Sequence, residues 1–215
     1  MTKKLPLKSE PVIRNFGVAD LRTIGEDEST IEGHPAVYDQ KTSIGGYFYE
    51  VIERGAFDEC NFDDVIFSVN HDLGKIPLAR RRNDGKNSTM QLSLDEKGIY
   101  IKAKLDPENN SEAKGLLSAV KRRDIDGMSF IFWVEEERWV DLDTDRPTRY
   151  ISKVKAVREV SAVNFPAYTG TDINARDQSV LDNALKALKS ARSKLDNPSS
   201  ELEILRLKIK NKGLV

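Results

Sequence analysis

The chain has 215 residues and a mass of 24.3 kDa, a length that suits one mid-sized domain with an appendage. Hydrophobic residues make up 39% and charged residues 32% of the sequence, a polar but globular composition that excludes a fully disordered protein. Lys and Arg total 34 against 35 Asp and Glu, so the basic excess typical of a dedicated nucleic-acid binder is missing.

Short apolar runs separated by turn residues follow a polar N-terminal stretch. Residues 1–11 show no hydrophobic periodicity, which predicts a mobile tail. Residues 12–177 predict one domain built mainly of short strands. The predicted strands are Val12–Leu21, Gly33–Tyr38, Gly46–Ile52, Val65–His71, Gly98–Leu105, Met128–Val134 and Ala156–Val163, and Trp139–Val154 is predicted as a hairpin.

One helix is predicted inside this domain, over Ser111–Arg123. Asn109 precedes Glu112 by three residues, which is the spacing of a capping box at the start of a helix. Apolar side chains then repeat at helical spacing at Ala113, Leu116, Leu117 and Val120.

The composition changes after Asp177 and predicts a helical, basic C-terminal tail over residues 178–215. Leucines at Leu181, Leu185, Leu188 and Leu195 form a helical stripe, which residues 197–200 interrupt. The tail carries eight Lys or Arg against four Asp or Glu, and too few apolar residues for a core of its own. We therefore expect it to dock on the same chain, on a second copy or on a partner.

The single cysteine, Cys60, cannot form an internal disulfide, which favours a reducing compartment. The N-terminal residues lack the apolar segment of a signal peptide. No apolar run approaches the roughly 20 residues that span a bilayer. These features predict a soluble intracellular protein that binds no membrane.

The sequence has two histidines, and their surroundings differ. His34 lies in the turn-like sequence Gly33-His34-Pro35, which favours a surface imidazole. His71 ends an apolar strand and precedes the loop residues Asp72 and Leu73. A strand end is a common place for a catalytic base, and equally for a histidine that only hydrogen-bonds a neighbouring loop.

A histidine base requires a nucleophile within hydrogen-bond reach, and Ser129 is the best candidate. It stands where the predicted helix is followed by a very apolar strand, a setting in which a buried core serine is the commoner explanation. Ser68, Ser93 and Ser161 are weaker candidates because no neighbouring residue suggests a site. The thiol of Cys60 lacks an adjacent positive charge and ranks below them.

A carboxylate that orients the imidazole would complete such a site, and Glu159 is the candidate. Strand alternation puts Glu159 and Arg158 on opposite faces, so one of the two charges faces the interior. A cross-strand salt bridge also explains this charge, and for this strand taken alone it is the commoner explanation. The two histidines lie far apart without a cysteine cluster, and no phosphate-binding loop is present, so we predict neither a metal nor a cofactor.

Five motifs in order give the chain a family resemblance. They are Gly33-His-Pro-Ala-Val-Tyr38, Glu53-Arg-Gly-Ala-Phe57, Asn70-His-Asp72, Asp126-Gly-Met-Ser-Phe-Ile-Phe132 and Arg158-Glu-Val-Ser-Ala-Val-Asn-Phe-Pro-Ala167. From about Phe16 to Thr171 the chain resembles the capsid maturation proteases of tailed phages, the prohead serine proteases related to the herpesvirus assemblins. No single motif is specific, but the ordered set is.

The resemblance implies a serine endopeptidase with His71 as base, Ser129 as nucleophile and Glu159 as third member. Assemblins use a second histidine as the third member. The only other histidine here, His34, lies outside the motif in which the third member would fall, and this favours Glu159. The implied fold is α+β, a mainly antiparallel β-barrel with flanking helices, in which residues 12–177 form the protease domain.

The resemblance also implies partners and a location. The substrates would be the scaffold protein or the scaffolding segment of the major capsid protein, cut inside the assembling prohead in the host cytoplasm. Self-cleavage in the C-terminal part of the chain is implied as well. From its basic amphipathic helices we hypothesise that the tail at 178–215 docks on scaffold or capsid protein and is then removed by proteolysis. Self-association is a further candidate that no residue here indicates, and neither nucleic acid nor a cofactor is predicted. A non-enzymatic assembly or scaffolding component with the same fold, and a hydrolase that depends on Cys60, remain alternatives.

Overall fold

β-Branched and aromatic residues between turn signals form most of the regular structure. The computed structural model describes residues 11–16, 20–26, 28–83, 87–164, 182 and 185–193. The strands are β1 (Val12–Phe16), β2 (Arg22–Ile24), β3 (Thr30–Val37), β4 (Thr42–Ile44), β5 (Phe48–Ile52), β6 (Asp64–Val69), β7 (Ala79–Arg82), β8 (Met90–Leu94), β9 (Gly98–Lys104), β10 (Gly127–Val140) and β11 (Thr148–Val163). The helices are α1 (Ser111–Lys121) and α2 (185–193).

The strands pair into two sheets. The seven-stranded sheet has the order β1-β10-β11-β5-β4, with β6 paired to β11 and β7 paired to β6. β10 and β11 form a long antiparallel hairpin, and the other edge of β11 pairs in parallel with β5 near its start and with β6 near its end. The four-stranded sheet, β2-β3-β9-β8, is antiparallel throughout.

The seven-stranded sheet is strongly curled. Arg14 on β1 contacts Glu50 on β5 at 2.5 Å, although β10 and β11 separate these strands in the sheet. Arg14 lies at the level of Val160 on β11 and Glu50 at the level of Arg149. In a flat sheet these levels would be about 36 Å apart along the strand, farther than the two side chains together can reach. No strand pairing among the described residues closes either sheet into a ring, and the predicted barrel is therefore not confirmed.

One apolar core joins the two sheets and α1. Ile99 and Ile101 of β9 enter it from the smaller sheet, and Phe130 and Phe132 of β10 enter it from the larger one, all fully buried. The two phenylalanine rings stack at a centroid distance of 4.4 Å. The core lies on the β10 face opposite Ser129, because side chains alternate along a strand.

Helix α1 buries the predicted face, but its cap is one residue later than predicted. Ala113, Leu116, Leu117 and Val120 are all buried. Asn110, not Asn109, caps the helix, and its side chain accepts hydrogen bonds from the backbone N–H groups of Glu112 and Ala113. Asn109 instead donates to Asp106, so the capping-box prediction at Asn109 was wrong.

Four strands, β2, β4, β7 and β8, were not predicted, and each strand of the predicted hairpin is continuous with a neighbouring predicted strand, in β10 and in β11. β7 holds three consecutive arginines and β8 begins at Met90, and neither shows a clear alternation. The predicted hairpin at Trp139–Val154 is confirmed, but its second strand continues without a break through Ala156 to Val163. Of the predicted first strand, Val12–Phe16 is confirmed, Asp20 and Leu21 are not in a strand, and residues 17–19 lie outside the described residues.

Part of the basic tail docks on the same chain. Leu188 of α2 is buried against Ile44 and Phe48, and the Arg192 guanidinium donates to the backbone carbonyls of Leu142 and Thr144. Residues 1–10, and the tail beyond residue 193, lie outside the described residues. Within the described part of the chain, neither helix has the length and apolar character needed to cross a bilayer.

Candidate active site

The centre of the larger sheet carries a row of serines. The parallel register of β6 and β11 places Ser68 opposite Ser161, and the antiparallel register of β10 and β11 places Ser129 opposite Ser161. Residues directly opposite on neighbouring strands point to the same face. Glu159 precedes Ser161 by two positions and lies opposite Ile131, so its carboxylate faces the same side as the row.

His71 reaches this row from a tight turn after β6. Asn70 and His71 both have positive φ angles, 50° and 56°, which are sparsely populated for residues other than glycine but least unfavourable for Asn, Asp and His. The Asn70 backbone N–H donates to the Ala162 carbonyl at 2.9 Å, and the His71 N–H donates to the Ser161 hydroxyl at 3.0 Å. These bonds turn the imidazole back over β11.

The three side chains singled out from the sequence lie in contact. The Nε2 atom of His71 is 2.6 Å from the Ser129 hydroxyl, and its Nδ1 atom is 2.7 Å from the Glu159 carboxylate. Ser129 is 0% exposed, Glu159 1% and His71 13%. With its proton on Nδ1, a neutral imidazole donates to Glu159 and presents the Nε2 lone pair to Ser129. This is the geometry of a nucleophile, a base and a carboxylate that orients the base.

Of the two neighbouring charges on this strand, Glu159 is the one that faces the interior. It is not paired with an arginine of a neighbouring strand. Its second carboxylate oxygen accepts hydrogen bonds from the hydroxyls of both Ser68 and Ser161, which lie 2.7 Å apart. Arg158 points away and binds Asn61. A buried carboxylate needs such donors, because burial without partners is costly. Ser68 and Ser161 therefore belong to the site as partners of Glu159, a role that their sequence neighbours do not indicate.

His34 lies apart from this site, and it is not the surface imidazole that was expected. Its ring is 11% exposed and sits between two carboxylates, with Nδ1 2.6 Å from Asp20 and Nε2 2.9 Å from Asp95. The Asp20 carboxylate also accepts from the His34 backbone N–H at 2.8 Å, and it pairs with Lys97. These contacts fix β3 to the loop before β9.

Ser93 and Cys60 also lie apart from the row. Ser93 is exposed on β8 of the smaller sheet. Burial raises the pKa of the Cys60 thiol to about 12, so the reactive thiolate is scarce at neutral pH. Among the described residues, no group of three or more His, Cys, Asp or Glu side chains is arranged to hold a metal ion.

Replacing Cys60 with serine is expected to leave peptide-bond cleavage within about twofold of the native rate, because Cys60 lies outside the His71 contacts. The measurement is the initial rate of appearance of cleaved products by intact mass. A loss of activity that alkylation of native Cys60 reproduces would favour the thiol-dependent hydrolase.

Similarity to known proteins identifies the family of this chain. Residues 18–186 match the family described as caudovirus prohead serine protease. The chain is 27% identical over 157 residues to the prohead protease of Enterobacteria phage HK97. That alignment covers 71% of this chain and 63% of the relative, so the chain spans less than two thirds of the relative's length. No solved structure gave a significant match. The family match runs through the strands that carry His71, Ser129 and Glu159, and the chain belongs to the caudovirus prohead serine proteases.

Proposed function

We propose that this chain is a serine endopeptidase in which Ser129 is the nucleophile, His71 the general base and acid, and Glu159 the group that orients His71. The observation that carries the proposal is the continuous chain of contacts from the Ser129 hydroxyl through both ring nitrogens of His71 to the buried carboxylate of Glu159. Membership of a serine protease family supports the same roles.

In the first half of the reaction the Ser129 Oγ attacks the carbonyl carbon of the scissile peptide. His71 Nε2 takes the hydroxyl proton as the Oγ–C bond forms, and the carbonyl π electrons move to the oxygen. The Glu159 carboxylate, 2.7 Å from Nδ1, stabilises the resulting imidazolium. When the tetrahedral intermediate collapses, the C–N bond breaks and His71 Nε2 returns its proton to the leaving amine.

In the second half a water molecule takes the place of the amine. His71 removes one of its protons while its oxygen attacks the acyl carbon. Collapse breaks the Oγ–C bond, releases the carboxylic acid and returns the proton from His71 to Ser129. The two hydroxyls on Glu159 Oε1 keep the carboxylate directed at the ring through both halves.

We propose that the substrates are the scaffold protein or the scaffolding segment of the major capsid protein, and the chain itself. The support is family membership, because these enzymes belong to proheads, and the reaction would take place inside the assembling prohead in the host cytoplasm. In this proposal residues 12–177 are the protease domain and residues 178–215 a basic tail that is removed or that docks on scaffold. The seating of Leu188 on Ile44 and Phe48 is one contact that removal of the tail would break.

The assemblin-like barrel is also retained as a proposal. The curl that brings Arg14 of β1 to Glu50 of β5 supports it, because a barrel requires such curvature.

The test is the intact mass of the purified full chain over time, alone and with capsid protein, beside Ser129→Ala. The native chain is expected to release defined terminal pieces, and Ser129→Ala to lose at least a thousandfold in rate. The product masses locate the first cuts and show whether they fall in the tail. Equal trimming of both proteins would identify a contaminating protease, and two intact proteins with intact capsid protein would contradict the proposal.

A non-enzymatic assembly component is the second candidate, and the complete burial of Ser129 is the observation in its favour. A fluorophosphonate probe distinguishes the two roles. Labelling of Ser129 that is lost in His71→Ala supports the enzyme, whereas a Ser129 that stays unlabelled supports the assembly component.

A further inference from the structure

Strand β1 covers the proposed nucleophile. Its antiparallel register on β10 places Asn15 opposite Ser129, and Ser129 has no exposed surface. β1 is an edge strand, and its sole strand partner in the described part of the chain is β10. A substrate strand that approaches Ser129 along the edge of β10 therefore meets β1 first.

A backbone carbonyl of β1 also competes with His71 for the hydrogen of the Ser129 hydroxyl. The Ser129 hydroxyl donates to the backbone carbonyl of Arg14 at 2.8 Å, while His71 Nε2 lies 2.6 Å away on another side. The hydroxyl has one hydrogen, so a bond to Arg14 leaves none for His71. Proton transfer to the base requires this bond to break, and removal of β1 would break it.

A buried ion pair anchors β1. The Arg14 guanidinium contacts Glu50 at 2.5 and 2.9 Å, and the Arg149 guanidinium contacts Glu50 at 3.0 Å. Arg149 also pairs with Glu137. Arg14, Glu50 and Arg149 are 4%, 2% and 5% exposed. Burial alone would raise the pKa of Glu50, but the two guanidinium groups hold it below its ordinary value.

The charges of this cluster indicate what could replace β1. Arg14 and Arg149 balance Glu50 and Glu137. Without Arg14 the buried Glu50 would lose two of its three guanidinium contacts and would share Arg149 with Glu137, which is unfavourable for a buried carboxylate. A strand that takes the place of β1 is therefore favoured if it brings a cation to the same position.

We propose that the edge of β10 beside Ser129 binds an extended substrate peptide with a basic side chain at the position of Arg14, and that β1 occupies this site until a substrate displaces it. This inference rests on the proposed function. An extended peptide gains main-chain hydrogen bonds from an open sheet edge, and alternate side chains enter the protein. The same exchange uncovers Ser129 and frees its proton for His71.

A reversible disulfide tests whether β1 must leave. Ile13 lies directly opposite Ile131, and opposed Cβ atoms in antiparallel strands lie about 4.5–5.5 Å apart, close to the span of a disulfide. In the full chain carrying Ile13→Cys and Ile131→Cys, oxidation is expected to slow fluorophosphonate labelling of Ser129 at least tenfold, and reduction to restore it. Gln91→Cys with Lys102→Cys, a directly opposed pair on β8 and β9, is the matched control and is expected to label equally in both states.

A second variant loosens β1 instead. Arg14→Gln removes the anchor and is expected to speed labelling at least tenfold over the native chain. Arg22→Gln, which removes an arginine partner of the buried Glu32 in the smaller sheet, is expected to leave the labelling rate unchanged. If Ser129 of the Ile13→Cys, Ile131→Cys protein is labelled as fast in the oxidised form as in the reduced form, the inference is overturned while the proposed function stands. If Ser129 stays unlabelled in every variant, the proposed function fails and the inference with it.

Two peptides test the chemistry of the occupant. One contains the β1 sequence Val-Ile-Arg-Asn-Phe, and the other has Gln in place of Arg. In the Arg14→Gln chain, the arginine peptide is expected to slow labelling of Ser129 at a concentration at least tenfold lower than the glutamine peptide. Equal competition by the two peptides would show that the site does not require a basic side chain at the position of Arg14. If neither peptide competes, the assignment of this edge as a peptide site is overturned.

Discussion

Replacing Glu159 with glutamine is expected to lower kcat for peptide cleavage by about 10³- to 10⁴-fold. The amide cannot stabilise an imidazolium. Its NH₂ group also replaces an acceptor: turned towards Ser68 and Ser161, it requires hydroxyls that now donate to the carboxylate to act as acceptors instead. If the NH₂ turns to the ring, it favours the tautomer with the proton on Nε2, which cannot accept from Ser129. The measurement is the initial rate of product formation with capsid protein at saturating concentration.

Glu136→Gln is the matched control for this change. Glu136 is exposed on β10, so loss of its charge is expected to leave kcat within about twofold. Far-UV circular dichroism should show the native fold for both variants. A Glu159→Gln protein with a rate within tenfold of the native one would remove Glu159 from the proposed mechanism.

Replacing Gly98 with alanine is expected to destabilise the fold by about 2–4 kcal/mol. Gly98 has a φ of 156°, and a Cβ atom there would lie 2.1 Å from the Ala36 carbonyl oxygen and 2.9 Å from the Cα of Val37. These are backbone atoms of β3 held by pairing to β9, so neither can give way without loss of the pairing. In a protein of this size, the change corresponds to a fall in Tm of about 4–16 °C.

Gly115→Ala provides the opposite expectation for the same chemical change. Gly115 lies on the exposed side of α1, and a Cβ there meets no atom within 4 Å. Alanine is favoured over glycine in a helix by about 1 kcal/mol, so this variant is expected to be slightly more stable. Equal melting temperatures for the two variants would show that the β3–β9 contact is not rigid.

The elements predicted best from the sequence are those that a local pattern of residues determines. The apolar repeat from Ala113 to Val120 fixes both the existence and the buried face of α1, because helical periodicity is local. The cap was misplaced by one residue because Asn109 and Asn110 are chemically identical, and only backbone geometry selects between them. The arginines of β7 conceal a strand, since pairing with β6 and not side-chain pattern makes it regular.

For the candidate site, the sequence pointed to three residues but not to their surroundings. His71, Ser129 and Glu159 each had a commoner explanation, and only the ordered motifs joined them. Ser68 and Ser161 were undervalued because their place beside Glu159 depends on the pairing of β6 with β11, a contact between distant parts of the chain. Nothing in the sequence indicates that β1 lies over Ser129, since that contact too depends on long-range pairing.

The position of β11 at the centre of the larger sheet has a consequence for synthesis. β11 pairs Thr148 with Tyr49 and Glu159 with Ile66, so both of its parallel partners leave the ribosome long before it does. Contacts between distant segments form slowly, and parallel pairing with β5 and β6 must wait for the whole hairpin. The nascent chain therefore carries His71 and Ser129 before Glu159 is in place beside His71. In the proposed mechanism, competence for cleavage begins only when β11 enters the sheet.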